Sequence, residues 1–150
     1  MSETGDYLRG IFNGEIPVKR KNPQTGKTEN VYYKYDDDRE GLVEIKNNTW
    51  TYVEGYYYYV KDNELLEECV EKIGDYYYGF DDEGWMYDDE EFYISGIKQD
   101  GDRQNFYYRA KKGGALYVNE WYADEEEWHD TTYYYYGEEG VAPNGLYEVN

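Results

Sequence analysis

Short aromatic and apolar runs recur along this chain and alternate with polar stretches that end in Gly or Asn. The runs richest in tyrosine are 31–35, 56–60, 76–80, 106–108 and 133–136. Tyr, Val, Thr and Trp favour strands, and short strands bounded by Gly, Asp and Asn are typical of β-hairpins. We therefore expect a mainly β, repeat-like fold of antiparallel stacked β-hairpins or a curled meander.

The runs of consecutive tyrosines predict strands that are aromatic on both faces. Side chains alternate along a strand, so four successive tyrosines place two rings on each face. One face can then pack on a neighbouring hairpin while the other remains available to a partner. The clearest single hairpin predicted is 42–53, in which two strands flank the pair Asn47 and Asn48, because Asn tolerates the positive φ of a two-residue turn.

One segment departs from this β pattern and predicts a short amphipathic helix at 63–73. Asp62 or Asn63 is a suitable cap, and Gly74 a suitable stop. The apolar positions recur at helical spacing. They are Leu65, Leu66, Cys69, Val70 and Ile73.

The first part of the chain differs in charge from the remainder. Residues 1–30 contain the basic cluster Lys19, Arg20 and Lys21, followed by the turn signals Asn22-Pro23. We interpret 1–30 as an N-terminal leader with a basic loop and 31–150 as the Tyr-rich β-hairpin repeat domain.

The charge and the aromatic content exclude several classes of protein. The 150 residues include 34 Asp and Glu but only 15 Lys and Arg, which gives a net charge of −19. Such a charge repels phosphate backbones and anionic membranes, so we expect no direct nucleic-acid binding and no membrane insertion. Acidic disordered chains are poor in aromatic residues, whereas this one is 21% aromatic, so we expect it to fold.

Two further features bear on localisation. The chain has one cysteine, so an intramolecular disulfide framework is excluded. Its first residues lack the basic and apolar regions of a signal peptide. We therefore expect it to be cytoplasmic as it stands, or to belong at the cell surface if it was cut from a longer secreted protein.

The order of residues resembles a known family. Segment 73–86 reads IGDYYYGFDDEGWM, and 114–121 followed by 133–140 is similar. These tracts resemble the cell wall-binding, or choline/glucan-binding, β-hairpin repeats, with a degenerate match over about 31–150. The resemblance implies stacked hairpins whose aromatic rings form cages for choline or platforms for sugars, and hence a glycan or wall polymer as partner. The matching positions are Trp50, Tyr57, Tyr77, Trp85, Tyr107, Trp121 and Tyr134.

Residue patterns for catalysis are lacking, so we expect a binding protein rather than an enzyme. The chain has one histidine, His129, and its serines are Ser2 and Ser95; neither serine stands in a nucleophile elbow. We assign no catalytic residue, no cofactor and no metal site. The acidic runs do not fit the calcium-loop pattern.

The acidity supports an alternative function, a small intracellular inhibitor that mimics nucleic acid. Phage or mobile-element proteins of this kind, directed against restriction or CRISPR enzymes, would occupy a basic groove of a nuclease through electrostatic complementarity. A structural fragment of a larger surface protein is a third reading. The acids that would face a basic protein partner are Asp36, Asp37, Asp38, Asp81, Asp82, Asp88, Asp89, Glu90, Glu91, Glu125 and Glu126.

Overall fold

The computed structural model describes residues 10–11, 14, 16–97, 100–125 and 130–141, together with the backbone of 147–149. They divide into two compact units. The first unit comprises Met1–Glu67 and Asp82–Trp85, and the second comprises Glu68–Asp81 and Met86–Asn150. The chain therefore contributes a short returning segment, Asp82–Trp85, to the first unit.

The first unit is built from two antiparallel sheets of three strands each. The first sheet has the order β1 (Val18–Lys21), β2 (Thr28–Asp36), β3 (Gly41–Ile45). The second has the order β4 (Trp50–Val53), β5 (Tyr56–Lys61), β6 (Glu64–Leu65). The basic residues 19–21, predicted to lie in a loop, form most of β1 and pair with β2.

The tight turns of the second sheet follow from their residues. Val53 pairs with Tyr56 across Glu54-Gly55, and Val60 pairs with Leu65 around a turn at Asp62-Asn63. All four turn residues have positive φ. That is the requirement of a type I′ turn, which Gly and Asn meet at least cost.

The second unit is also made of antiparallel strands. Hairpin β7 (Cys69–Ile73) with β8 (Tyr76–Phe80) is followed by hairpin β9 (Glu91–Ile97) with β10 (Arg103–Arg109). A third sheet has the order β11 (Glu120–Asp124), β12 (Thr132–Tyr136), β13 (Tyr147–Val149). A single 3-10 turn, Glu138–Gly140, follows β12.

Each unit has its own small core in which aromatic rings replace much of the usual aliphatic filling. In the second unit a Cβ on Gly79 would overlap the Phe92 ring, so the β8 backbone packs directly on that ring. The buried cluster of the first unit is Tyr32, Ile45, Val53, Tyr58, Val60 and Leu65. That of the second is Phe92, Ala110 and Leu116.

The prediction of a mainly β fold of antiparallel hairpins is confirmed, but the helix at 63–73 is wrong. Its first part is the turn into β6, and Cys69–Ile73 is strand β7. Glu68, with a φ of 47°, lies between the two strands. Asp62 and Asn63, interpreted as a helix cap, instead supply the positive φ of the β5–β6 turn.

The hairpin predicted at 42–53 is also wrong. β3 pairs with β2, and β4 pairs with β5. Asn48 does turn the chain with a positive φ of 53°. Its backbone N–H, however, donates to the Val60 carbonyl at 2.6 Å, and the Asn47 side chain accepts from the Asn63 N–H at 2.9 Å. These bonds hold the connection against the β5–β6 turn. Among the described residues no helix is long and apolar enough to cross a membrane.

Candidate functional site

The first unit contains a cleft of about 510 Å³ whose lining combines aromatic rings with carboxylates. It is assembled from distant parts of the unit: β2 and its following turn, the β4–β5 hairpin, the end of β6, and the returning segment. The residues that line it are Gly14, Lys34, Tyr35, Asp37, Val53, Glu54, Tyr56, Tyr58, Leu65, Glu67, Asp82, Glu83 and Trp85.

One wall of the cleft is a stacked pair of rings, Tyr56 and Trp85. Their centroids lie 3.8 Å apart with an interplanar angle of 9°. Gly84 places Trp85 there, because it has a φ of +86° and a Cβ on it would lie 3.4 Å from the Tyr58 ring and 3.6 Å from Leu65. Glycine adopts this conformation without a steric penalty, so the returning segment can pack closely on β5 and β6.

Tyr58 forms the inner part of the cleft, and Tyr35 a more exposed part. Tyr58 is 4% exposed and belongs to the core of the unit. The ammonium of Lys34 lies 5.3 Å from the centroid of the Tyr58 ring. A tyrosine face carries negative charge density that attracts a cation, so the structure already places one cation on an aromatic surface of this cleft.

Carboxylates outnumber cations in the lining. Among the described residues the lining has one lysine, Lys34, and five acids, which are Asp37, Glu54, Glu67, Asp82 and Glu83. Two of these acids are connected, since the Glu54 carboxylate accepts a hydrogen bond of 2.6 Å from the Asp37 backbone N–H. Aromatic faces and an excess of negative charge both favour a cation, so the arrangement is chemically suited to an ammonium group.

The opposite face of the β4–β5 hairpin carries a second aromatic surface. Because directly paired residues share a face, Trp50, Tyr52, Tyr57 and Tyr59 lie together there. Tyr52 stacks on Tyr57 with centroids 4.9 Å apart, and Trp50 meets Tyr59 edge-on at 5.0 Å. Tyr57 is 46% exposed. The predicted site residues Trp50 and Tyr57 therefore lie on an exposed strip outside the cleft.

The four predicted aromatic residues of the second unit are spread over three hairpins, and Trp121 and Tyr134 share the β11–β12 hairpin. Tyr77 of β8 has the Lys72 ammonium 5.9 Å from its ring. Tyr107 of β10 lies 5.9 Å from the ring of Tyr93 on β9. Trp121 of β11 is half exposed, with its ring 5.1 Å from that of Tyr135. In the register of the third sheet, Tyr134 is paired with Tyr122. Of the seven predicted residues, Trp85 alone lines the cleft.

The predicted acids occupy several environments. Asp36 is 3% exposed, and its carboxylate accepts from the Asp38 N–H at 2.9 Å and lies 3.6 Å from the Arg39 guanidinium. It therefore closes the turn after β2. Asp37 and Asp82 line the cleft. Asp81 is half-buried, and Glu126 lies outside the described residues. The other predicted acids are exposed, namely Asp37, Asp38, Asp82, Asp88, Asp89, Glu90, Glu91 and Glu125.

Two acidic residues of the second unit make polar contacts with other residues of that unit. The Asp88 carboxylate accepts from the Gly113 N–H at 2.8 Å. Glu91 lies 3.7 Å from the Arg109 guanidinium. These contacts assign both acids a structural task in the turns and strands of that unit.

Arg109 organises an aromatic cluster in the second unit. Its guanidinium lies 3.8 Å from the centroid of Tyr122. The neighbouring Tyr136 is fully buried. Burial raises the pKa of Tyr136 to about 12, and the nearby Arg109 charge opposes that rise. In the same unit, a hydrogen bond of 2.9 Å from the Lys111 ammonium lowers the pKa of Glu120 below its usual value.

Within the described ranges, no group of three or more His, Cys, Asp or Glu side chains is placed to hold a metal ion. His129 lies outside those ranges. Cys69 is half-buried at the start of β7.

The sequence did not single out Lys34, Tyr35, Tyr56 or Tyr58 as site residues. Tyr56 and Tyr58 are two positions apart, so alternation alone predicts a shared face. It does not indicate which face of β5 points inward. The register with β4 and β6 determines that choice, and it was not available from the pattern of one strand.

Comparisons with known proteins gave matches among solved structures. No protein-family model and no curated protein sequence matches the chain. It is similar to the modular autolysin LytC from Streptococcus pneumoniae in complex with a synthetic peptidoglycan ligand, at 15% identity and a TM-score of 0.35 over 84% of this chain and 33% of that one. The chain thus spans about a third of the length of LytC.

Two further similar structures come from the same biological setting. A multimodular pneumococcal cell wall endolysin from phage Cp-1, complexed with choline, matches at 15% identity and a TM-score of 0.39, over 89% of this chain and 35% of that one. The choline-binding domain of CbpL from Streptococcus pneumoniae matches at 16% identity and a TM-score of 0.27, over 83% of this chain and 75% of that domain. The chain resembles such repeat domains, and at these identities the likeness concerns the fold alone.

Proposed function

We propose that the chain is a non-catalytic module that binds a cell-wall polymer, and that the cleft of its first unit takes a quaternary ammonium group carried by that polymer. The observation that carries the proposal is the cleft lining itself, in which four aromatic rings stand beside five carboxylates. A quaternary ammonium has no hydrogen-bond donor, so ring faces and diffuse negative charge are the groups that recognise it.

The dimensions of the cleft support this class of ligand. Its volume of about 510 Å³ falls in the range of small-molecule sites, roughly 300–1,000 Å³. The stacked pair Tyr56 and Trp85 offers an aromatic surface on one side. The carboxylates Asp37 and Glu54 lie together at another part of the lining. The lining therefore offers a cationic ligand both aromatic faces and carboxylates.

The exposed strip on the other face of β4 and β5 supports a second contact, with the sugars of the polymer. Trp50, Tyr52, Tyr57 and Tyr59 lie next to one another in the register of β4 and β5. Aromatic faces of this kind offer apolar contact to a sugar ring. No observation favours the nucleic-acid-mimic alternative, because the predicted acids are divided between turn contacts, the cleft and scattered exposed positions.

The test is a calorimetric titration with choline and with its neutral isostere, 3,3-dimethylbutan-1-ol, in which a quaternary carbon replaces the nitrogen. We expect saturable binding of choline and at least tenfold weaker binding of the isostere, since shape is kept and charge removed. Equal affinity for choline and the neutral isostere would mean that the cleft does not recognise the positive charge. Co-sedimentation with purified cell walls, and its reversal by choline, tests the polymer itself; no sedimentation with walls that carry quaternary ammonium groups would refute the function.

A further inference from the structure

Lys34 is a charged residue on an inward-facing position of β2, which is unusual for a lysine. Side chains alternate along a strand, so Lys34 shares a face with Tyr32 and Asp36, which are both buried. Lysine is rarely placed on an inward face, because its ammonium is costly to bury. Lys34 is half-buried and lines the cleft. Its stem can thus pass through the interior while its charge reaches the cleft.

The Lys34 side chain is held along its length. A Cβ on Gly14 would lie 2.6 Å from Cε of Lys34 and 3.0 Å from its Cδ, so the stem passes directly over the Gly14 backbone. At its end, the ammonium lies 5.3 Å from the centroid of the Tyr58 ring. The side chain is therefore guided to the aromatic surface that an incoming cation would use.

We propose that Lys34 is a resident cation that occupies the cleft in the free protein, and that a ligand must displace its ammonium from Tyr58 in order to bind. This inference rests on the proposed function and concerns the specificity of the same site. A hydrated ion or a weakly held amine gains too little from the rings to replace a tethered ammonium. A quaternary ammonium, which aromatic cages favour, can replace it. Lys34 therefore sets the affinity that a cation must exceed.

The size of the effect follows from the population of the open cleft. If only the fraction of molecules with Lys34 displaced is competent, the apparent dissociation constant rises by the inverse of that fraction. A cation–π contact of this kind is worth about 0.5–2 kcal/mol, which corresponds to a factor of about 2 to 30. Removal of the Lys34 charge should tighten binding by that factor.

Two variants and a control test this in the full chain by titration with tetramethylammonium. Lys34→Met retains the length of the stem without the charge, and we expect it to bind about 2-fold to 30-fold tighter than the wild type. Lys34→Arg keeps a cation and should bind like the wild type. Lys46→Met removes the same charge outside the cleft lining and should change the affinity less than twofold. Unchanged or weaker binding by Lys34→Met overturns the displacement, while binding by the wild type still supports the proposed function.

A second measurement uses the unaltered protein, so it does not depend on the folding of a variant. Lysine acylation by a limiting amine-reactive ester is followed by mass spectrometry with and without tetramethylammonium. We expect the ligand to raise the labelling rate of Lys34 severalfold and to leave Lys72 unchanged, although Lys72 also lies over a tyrosine ring. A fall in Lys34 labelling would mean that the ligand covers it, which overturns displacement. If tetramethylammonium binds neither the wild type nor Lys34→Met, the proposed function fails as well.

Discussion

Replacement of Trp85 by alanine should separate the two tasks of its indole ring, ligand binding and packing. The ring lines the cleft and stacks on Tyr56 at 3.8 Å. Loss of a cation–π partner costs about 0.5–2 kcal/mol in binding, so we expect affinity for a quaternary ammonium to fall by about 2-fold to 30-fold. The measurement is a calorimetric titration of Trp85→Ala beside the wild type.

The same substitution should also lower stability, and that effect has to be measured independently. Replacing a fully buried aromatic side chain by alanine lowers the free energy of unfolding by about 3–5 kcal/mol. Trp85 is only half-buried, so we expect a loss of about 2 kcal/mol in the free energy of unfolding. Urea denaturation measures this, and titrations should be made where more than 95% of the variant is folded, a condition set by that free energy.

A matched control removes a tryptophan that lies outside the cleft. Trp121 is half exposed on β11 and contacts Tyr135 at 5.1 Å. Trp121→Ala should leave ammonium affinity within twofold of the wild type, because it lines no part of the cleft. If Trp85→Ala binds as tightly as the wild type while folded, or if Trp121→Ala loses as much affinity, the assignment of the cleft is refuted.

Three further predictions concern charge, pH and packing. Asp37→Asn should weaken ammonium binding up to about fivefold, as expected for one partly screened charge. Asp38→Asn removes a charge outside the cleft lining and should leave the affinity unchanged. Equal losses of affinity in the two variants would contradict a local role for Asp37. The pKa of Tyr136 is raised from 10.0 to about 12, so its contribution to stability is complete below pH 10 and is lost as the pH rises through 12, by up to about 3 kcal/mol. Urea denaturation from pH 9 to 12 should therefore show a smaller decline in stability for Tyr136→Phe than for the wild type. Gly79→Ala should lower the free energy of unfolding by about 1–3 kcal/mol in a melting experiment, because the new Cβ overlaps the Phe92 ring. In the control Gly41→Ala the atom nearest to the new Cβ is 3.9 Å away, so the loss should be well under 1 kcal/mol.

The tyrosine runs show what alternation can and cannot predict. Two faces of rings were expected from each run, and β5 has them, with Tyr58 buried and Tyr57 exposed on the opposite face. The choice of inward face depends on pairing with β4 and β6, and a shift by one residue would exchange the two faces. The strand was thus predictable from composition, while the cleft residues on it were not.

The error at 63–73 has a similar origin in signals with two meanings. Asp and Asn can cap a helix or adopt positive φ in a turn, and five apolar residues in eleven fit a helical stripe or two short strands. Asp62 and Asn63 form a turn because the residues that follow them pair with the second edge of β5, where Val60 is opposite Leu65. The local signals favoured the helix that we predicted, and pairing with neighbouring strands overrode them.

Assembly of the cleft explains why only one of its rings was predicted. Trp85 stands in a recognisable motif, but Lys34 and Tyr35 lie about fifty residues earlier and were part of an ordinary alternating strand. They line the same cleft as Trp85, and the positive φ of Gly84 lets the returning segment come into contact with Tyr58. No periodicity within one segment predicts that arrangement, which depends on the positive φ of Gly84.

The acids behind the net charge of −19 divide into those that line the cleft and those that lie outside it. At physiological ionic strength the Debye length is about 8 Å, so acids outside the cleft are largely screened from a ligand within it. The five lining carboxylates belong to exposed residues, but they stand beside the ring faces of the cleft, so they act on a bound ligand at shorter range than the other acids do. Added salt should therefore slow association, which depends on the whole field, more than it accelerates dissociation, which depends on the lining. Several of the remaining acids have structural contacts instead, as Asp36, Asp88 and Glu91 do.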